Sequence, residues 1–404
     1  MPSDPDIYDL NLGDCFAVGE LLRLVPRELI DQALSVTNRE KRRERSFPDH
    51  VVVYFVILMG MYLELSYLAV MEKLSGVLGW LNVGSDKLKD LSESAIVQAR
   101  QRVGSAPLRE LFRLFARPIG TQDTVGAFFH GLRLVAVDGT TFIVGDSEQN
   151  AIKFGRPSNQ SGATGMPQLR CVALVEYATR LFFDLVLGPY EGSSEQSLAP
   201  LLLSRLQPGM LCLADRLYPS YELCKTAIET GAYFLWRVKK DMKLVPTRFF
   251  TDGSYEARIY RYVNRKRQKE FLAVKVIKYR LKDDEEEIRL ITNLVDDTIK
   301  AIEFANLYPA RWAEETTYRE LKSTLHCRNL VLRSKSPDMV EQELYGLFIS
   351  HGVVRRFMMH AANQVGIPPD GLSHKRAVYL LTENLPKLRI GGDFPPGAAP
   401  IRIR

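Results

Sequence analysis

Apolar residues recur at helical spacing along the first part of the chain. From about residue 20 to residue 120 they repeat three and four positions apart, which is the pattern of helices that bury one face. The most apolar run, at residues 51–63, is too short to span a bilayer and predicts a buried core helix. Ser92 or Ser94 is placed to cap a later helix, and Pro107 to begin another. These signals predict an all-α N-terminal region.

After Gly131 the pattern changes to short apolar runs rich in β-branched residues. Residues 132–138 and 210–215 each predict a buried strand that ends at an aspartate, Asp138 or Asp215. Further strands are predicted at residues 170–177, 181–187, 232–238, 255–262, 270–279 and 286–294. Helices are predicted between the strands at 195–206, before Pro208-Gly209, and at 219–230, before Gly231. The whole is therefore an α/β protein.

Composition and charge narrow the class of protein only slightly. The chain has 404 residues, a net charge of +6 and a pI of about 8.9, which is compatible with a polyanionic partner. Residues 351–404 hold eight lysines and arginines against three acids. The five cysteines are scattered without a CxxC pair, which argues against a disulfide framework or a zinc knuckle. With no secretory signal and no spanning segment, we expect a cytoplasmic protein that does not bind membranes.

The two strand-terminal aspartates are the first candidates for chemistry. Ligands of open α/β sheets bind outside the carboxyl ends of the strands, and two carboxylates brought together there need a counter-ion such as a hard divalent cation. An aspartate after a strand is also a common turn or helix-capping residue. Asp138 and Asp215 alone therefore leave both interpretations open.

A helix predicted at residues 308–325 adds a third carboxylate. Its residues Tyr308, Arg311, Glu315 and Lys322 are separated by three, four and seven positions and share one helical face. One aromatic residue, two cations and one acid suit a surface that holds a metal ion and phosphates. A solvated helix stabilised by an Arg311–Glu315 pair has the same spacing.

The segment from Tyr308 to Lys322 fits the signature Tyr-x2-Arg-x3-Glu-x6-Lys, and here the sequence resembles a known family. That family is the insertion-sequence-four family of bacterial DDE transposases. Val-Ala-Val-Asp138-Gly-Thr resembles its first aspartate block, and Leu-Ala-Asp215-Arg-Leu-Tyr resembles its second. The resemblance extends from about residue 20 to residue 365.

The resemblance implies a fold, a reaction and a set of site residues. The fold would be an RNase H-like catalytic core with a β-rich insertion, preceded by an all-α N-terminal domain. Asp138, Asp215 and Glu315 would bind two Mg²⁺ ions, for which Mn²⁺ can substitute. Tyr308, Arg311 and Lys322 would contact DNA near the cleaved end. The reaction would be cut-and-paste transposition, through a hairpin intermediate.

Partners and location follow from the same resemblance. The partner would be double-stranded DNA, both the terminal inverted repeats of the element and the target, bound by a homodimer. The protein would be bacterial and associated with the nucleoid. The expected domains are a helical domain at 1–125, the first part of the catalytic domain at 126–238, the insertion at 239–297, the rest of the catalytic domain at 298–365, and a basic tail at 366–404.

Other DNA contacts are predicted from clustered charge. Arg42 and Arg43 belong to one basic run, and Lys266 and Arg267 to another in the insertion. Some members of the family hold a flipped base with a tryptophan of the insertion, but residues 239–297 contain none. The tyrosines that could stack a base instead are Tyr255, Tyr260, Tyr262 and Tyr279.

Three alternative functions are weighed against transposition. A catalytically silent DNA-binding relative would not need all three carboxylates, and a metal-dependent nuclease without strand transfer would use the same ones. A metal hydrolase with a small substrate is disfavoured, because the six histidines form no HxxxH or HxH pair.

Overall fold

The computed structural model describes residue 19 and residues 21–39, 47–80, 91–159, 162–163, 165–280, 287–295, 297–323 and 331–382. Side chains are described in these ranges except at residues 76–80, 159, 162–163, 310–315 and 322–323. The chain divides into two compact units. The first takes the described residues within 1–117, 143–153 and 319–404, and the second those within 118–142 and 154–318.

Helices and strands follow the two sequence patterns. The α-helices are α1 (Arg27–Val36), α2 (Asp49–Met61), α3 (Tyr67–Trp80), α4 (Glu93–Val103), α5 (Ala106–Phe115), α6 (Glu148–Phe154), α7 (Glu195–Leu203), α8 (Tyr221–Glu229), α9 (Ala301–Leu307), α10 (Trp312–Ser323), α11 (Pro337–Val365) and α12 (His374–Thr382). The strands are β1 (Phe128–Phe129), β2 (Leu132–Val144), β3 (Ser158–Asn159), β4 (Gly162–Ala163), β5 (Gln168–Glu176), β6 (Leu181–Pro189), β7 (Met210–Ala214), β8 (Tyr233–Arg237), β9 (Pro246–Phe249), β10 (Tyr255–Val263), β11 (Lys266–Arg280), β12 (Glu287–Thr292) and β13 (Val331–Leu332).

The core of the first unit is built around α2. All its residues from Val51 to Met61 are buried, as the uninterrupted apolar run predicts. The helix packs against α11 through two glycines, Gly60 and Gly346. A Cβ on Gly346 would lie 2.6 Å from the carbonyl oxygen of Val56, and a Cβ on Gly60 would lie 2.8 Å from the Cα of Leu347. The two backbones are therefore too close to admit any side chain at these positions.

Replacing Gly346 by alanine is expected to destabilise the protein. The new methyl group meets backbone that cannot rotate away, and overpacking of this kind costs about 1–3 kcal/mol, which exceeds the roughly 1 kcal/mol that alanine gains over glycine in a helix. The measurement is the urea midpoint of unfolding, with Asn363→Ala as the control, because Asn363 is exposed on the same helix. A Gly346→Ala variant as stable as the wild type would contradict the close contact.

The second unit is organised by one mixed sheet, whose strand order is β6-β5-β2-β7-β8-β12-β11-β10-β9. Strands β5 and β6 form an antiparallel hairpin, while β7 runs parallel to both β2 and β8. The strands β6-β5-β2-β7-β8 constitute the RNase H-like core that the family resemblance implies. The fold class is thus confirmed.

The β-rich insertion continues the same sheet. Strand β12 pairs antiparallel with β8 through Leu290 and Arg237, and β11, β10 and β9 follow in antiparallel order. The sequence pattern predicts β10, β11 and β12 closely. Strand β9 is exposed and contains no apolar run from which it could be predicted.

Strand residues alternate between two apolar layers because successive side chains point to opposite faces. On one face Val135 and Val137 pack with α7 and α8. On the other, Ala136 and Leu213 pack with Phe304 of α9 and with Tyr308. Both faces are covered, as expected of the parallel centre of a sheet.

The end of one strand differs from its prediction. Strand β2 does not end at Asp138 but continues to Val144, because β13, remote in sequence, supplies parallel partners for Ile143 and Val144. Within the region predicted as a basic tail, α12 packs its apolar face on the end of α11. Residues 383–404 lie outside the described residues.

The sequence also led to expectations about the cysteines and about membrane-spanning helices. Cys171, Cys212 and Cys224 are buried thiols, and Cys15 and Cys327 lie outside the described residues. None of the helices within the described ranges is long and apolar enough to cross a membrane.

Candidate active site

Asp138 lies on β2, and Asp215 directly follows β7, the parallel strand beside it. Strand β2 pairs with β7 up to Ala136 and Leu213. Asp138 and Asp215 each come two residues after this last pair, so they occupy matching positions in the two segments. Because neighbouring strands lie about 4.8 Å apart, the pairing of Ala136 with Leu213 brings the segments that lead to Asp138 and Asp215 side by side.

Local hydrogen bonds orient both carboxylates. Asp138 Oδ1 accepts from the Gly139 N–H at 2.8 Å, and Asp215 Oδ1 accepts from the Leu217 N–H at 2.8 Å. Both side chains are half-buried. Each carboxylate therefore keeps contact with solvent on a restrained backbone, which suits an oxygen ligand for a hard cation.

The motif segment is fastened to both strands by tyrosine hydroxyls. Tyr308 is buried and donates a 3.1 Å hydrogen bond to the carbonyl oxygen of Ala214, the residue before Asp215. Tyr318 donates a 3.1 Å hydrogen bond to the carbonyl oxygen of Asp138 and packs on Phe182. The segment that holds position 315 thus lies between two anchors, one at each aspartate.

The helix differs in detail from the prediction. Tyr308–Arg311 is a 3-10 turn, and the α-helix α10 begins only at Trp312 and ends at Ser323. The turn alters the helical phase, so a single 3.6-residue periodicity does not describe all four motif residues. The side chains of Arg311, Glu315 and Lys322 lie outside the described residues, as do Arg42 and Arg43.

A further acid, Glu195, was missed by the sequence argument. It is the first residue of α7, and its side chain crosses Gly139, where a Cβ would lie only 2.3 Å from Glu195 Cγ and Cδ. Burial raises the pKa of the Glu195 carboxyl, the negative charge of Asp215 raises it further, and Arg170 lowers it. The sequence feature that relates to this contact is Gly139, which follows Asp138. No local pattern connects Gly139 to Glu195.

The insertion presents cations beside aromatic rings. Lys266 and Arg267 are exposed at the start of β11, and the Arg267 guanidinium lies 3.8 Å from the centroid of the Tyr260 ring. Tyr262 is 63% exposed, whereas Tyr255 is buried and Tyr279 half-buried. Of the four tyrosines, Tyr262 is the most accessible to a nucleic-acid base.

One cluster contains two histidines that are far apart in the sequence and therefore form no spaced histidine motif. Glu320, His351 and His374 of the first unit bring their potential ligand atoms within 4.8 Å of one another. However, the buried Arg355 guanidinium donates to the same Glu320 carboxylate. A cation already occupies the place that a metal would need, so the cluster is a buried ion-pair network.

Comparison with known proteins identifies the family to which the chain belongs. Residues 16–113 match the family model "Insertion element 4 transposase N-terminal", and residues 129–352 match "Transposase DDE domain". The chain is 27% identical over 383 residues to the transposase InsG of insertion sequence element IS4 from Escherichia coli K12, covering 93% of this chain and 83% of that protein. It is also 29% identical over 216 residues to the putative transposase InsZ of the same strain, covering 52% of this chain and 68% of that protein.

Among solved structures, a piggyBac transposase synaptic complex with hairpin DNA aligns with 93% of this chain and 80% of its own, at a TM-score of 0.44 and 13% identity. The DDE match covers more than half of the chain, so the class is that of enzymes that cleave and join DNA with a divalent metal. The chain belongs to the DDE transposases of the insertion-sequence-four family. It is an enzyme of DNA transposition, and membership implies DNA binding at element ends.

Proposed function

We propose that Asp138, Asp215 and Glu315 are the metal ligands of this transposase and that the metal is Mg²⁺. The observation that supports this most is the pair of tyrosine anchors, because Tyr308 and Tyr318 attach the motif segment to the strand residues that carry the two aspartates. An all-oxygen donor set fits Mg²⁺, which prefers carboxylates and substrate phosphates.

Each protein group has a defined task in this proposal. Asp138, Asp215 and Glu315 would hold divalent ions, which would lower the pKa of the attacking water or DNA 3′-hydroxyl and stabilise the leaving oxygen. The backbone N–H groups of Gly139 and Leu217 hold the Asp138 and Asp215 carboxylates in fixed orientations. Tyr318 fixes the backbone at Asp138. Arg311 and Lys322 neutralise phosphate charge close to the cleaved bond.

Tyr308 takes a different task from the one that the resemblance implies. Its hydroxyl is already bound to the Ala214 carbonyl and its ring is buried. A direct contact with DNA would require that hydroxyl to leave its acceptor. We therefore assign Tyr308 to positioning the motif segment.

Several finer features of the reaction are part of the same proposal. We propose cut-and-paste movement through a hairpin at the element end, carried out by a homodimer that holds two ends. The helical domain and the exposed cations of the insertion, including Lys266 and Arg267, would bind the terminal repeats and target DNA. Sequence-independent affinity would come from phosphate contacts.

The test is a cleavage and joining assay on the terminal repeat of the element. Full-length protein is incubated with labelled end DNA and a target plasmid in Mg²⁺, Mn²⁺ or EDTA, and products are separated on denaturing gels. We expect nicking, a hairpin and joined product with either metal and none in EDTA. Cleavage without joining would indicate a nuclease, DNA binding without any cleavage would indicate a silent relative, and cleavage in EDTA would overturn the metal assignment.

The DNA contacts of the insertion lead to a separate prediction. Replacing both Lys266 and Arg267 by alanine is expected to weaken binding and to reduce the slope of log affinity against log salt by about 1–2, since each phosphate contact contributes roughly 0.9. The measurement is fluorescence anisotropy over a salt series. Lys225→Ala is the control, because Lys225 pairs with Glu229 at 3.7 Å. An unchanged slope in the double variant would remove these residues from the interface.

A further inference from the structure

The contact between Gly139 and Glu195 brings an additional carboxyl group to the catalytic strands. A Cβ on Gly139 would lie 2.3 Å from Glu195 Cγ and Cδ and 2.6 Å from Oε1. Any residue other than glycine after Asp138 would displace the Glu195 side chain. The Glu195 side chain therefore lies against the backbone of β2 at Gly139, the residue after Asp138.

The start of α7 holds Glu195 in this position. Ser194 caps the helix by accepting from the Ser197 N–H, and the Ser197 hydroxyl accepts from the Ser194 N–H in return. One turn later Leu198 and Ala199 pack into the apolar layer on β2 and β7. Because the cap and the apolar anchor restrain the first turn, Glu195 has little freedom to leave Gly139 by movement of its backbone.

Charges of both signs surround Glu195. It is half-buried, and the negative charge of Asp215 and the positive charge of Arg170 both act on it. An acid in the first turn of a helix has an ordinary role, worth about 0.3–1 kcal/mol through the helix dipole. That role is served by a side chain in solvent and gives no reason to cross the strand that carries Asp138.

We propose that Glu195 is a fourth carboxylate of the metal site, which acts with Asp138 and Asp215 to bind the divalent cation. The inference rests on the proposed function, since it adds a residue to that same site. Carboxylates gathered beside one another repel, and a divalent cation offsets the repulsion while using the oxygen ligands that it prefers.

The test measures Mn²⁺ binding to full-length protein without DNA, from the loss of the free-ion signal in electron paramagnetic resonance. Glu195→Gln is expected to weaken Mn²⁺ binding about 10-fold, in the range known for residues that support metal ligands. Glu222→Gln is the matched control, because Glu222 is a first-turn acid of α8 that faces Arg261. Wild-type Mn²⁺ affinity in a folded Glu195→Gln variant would overturn the inference.

A second pair of variants examines the contact itself. Gly139→Ala should weaken Mn²⁺ binding by displacing Glu195, and it should have much less effect in a Glu195→Ala background, where the space is open. Equal effects of Gly139→Ala in both backgrounds would contradict the role of the contact. Failure of the proposed function has a different outcome, namely Asp138→Ala and Asp215→Ala variants that bind Mn²⁺ and cut DNA as the wild type does.

Discussion

Alanine at Asp138 or at Asp215 is expected to lower the rate of element-end cleavage about 10³-fold or more. Metal ions contribute several kcal/mol to such reactions, and about 1.4 kcal/mol corresponds to a factor of ten in rate. Glu315→Gln should have a similar effect, since glutamine keeps the size of the side chain and removes its charge. The fold should survive, because the described hydrogen bonds of Asp215, for example, are local to its own loop.

The measurement is single-turnover cleavage of end DNA, with binding of the same DNA recorded in parallel. Asp241→Ala is the control, since Asp241 is an exposed acid of the same unit. A catalytic role predicts lost cleavage with retained DNA binding. Wild-type cleavage by all three variants would show that the reacting phosphate lies elsewhere.

The second large effect is on stability and concerns the buried ion-pair network at Glu320. Glu320→Gln leaves the Arg355 guanidinium buried without its anionic partner, and breaking a buried pair in this way costs about 3–5 kcal/mol. Asp31→Asn is the control, because Asp31 pairs with Arg27 on the surface and such pairs contribute about 0–1 kcal/mol. Urea unfolding at pH 7 measures both.

The same variant has a predictable pH dependence. Burial alone would raise the pKa of Glu320, but the neighbouring His351, Arg355 and His374 side chains outweigh it, so the pKa lies below its ordinary value. A lowered pKa in the folded state adds stability above the unfolded value, near 4.3, and this stability is lost as the pH falls. The wild type and Glu320→Gln should therefore converge in acid. A gap that widens below pH 4 would contradict the assignment.

Local patterns account for the elements that the sequence predicts well. The uninterrupted apolar run in α2 requires burial on every side, and Ser92 caps α4 by accepting from the Ala95 N–H, as its position before the helix indicates. The parallel strand β7 is apolar throughout because both faces of the sheet are covered. In each case the pattern that predicts the element lies within a few consecutive residues.

Strand boundaries and the phase of the motif helix were harder to predict. The end of β2 depends on β13, which is remote in the chain. The 3-10 turn at Tyr308–Arg311 coincides with the hydrogen bond from Tyr308 to Ala214. Neither contact leaves a local pattern, so residue spacing alone could not anticipate the change of helix type.

The amino-acid sequence by itself determined that this is an α/β transposase with one aspartate on a strand, one directly after a strand, and a glutamate on a motif helix. Strand periodicity, helix caps and the family signature are all patterns of nearby residues. Only the tertiary structure decided that Tyr318 is hydrogen-bonded to the backbone of Asp138, that Glu195 crosses Gly139, and that His351 meets His374 beside Glu320. The physical reason is that these contacts join residues far apart in the chain. Their geometry depends on how helices pack on the sheet, which no short stretch of sequence encodes.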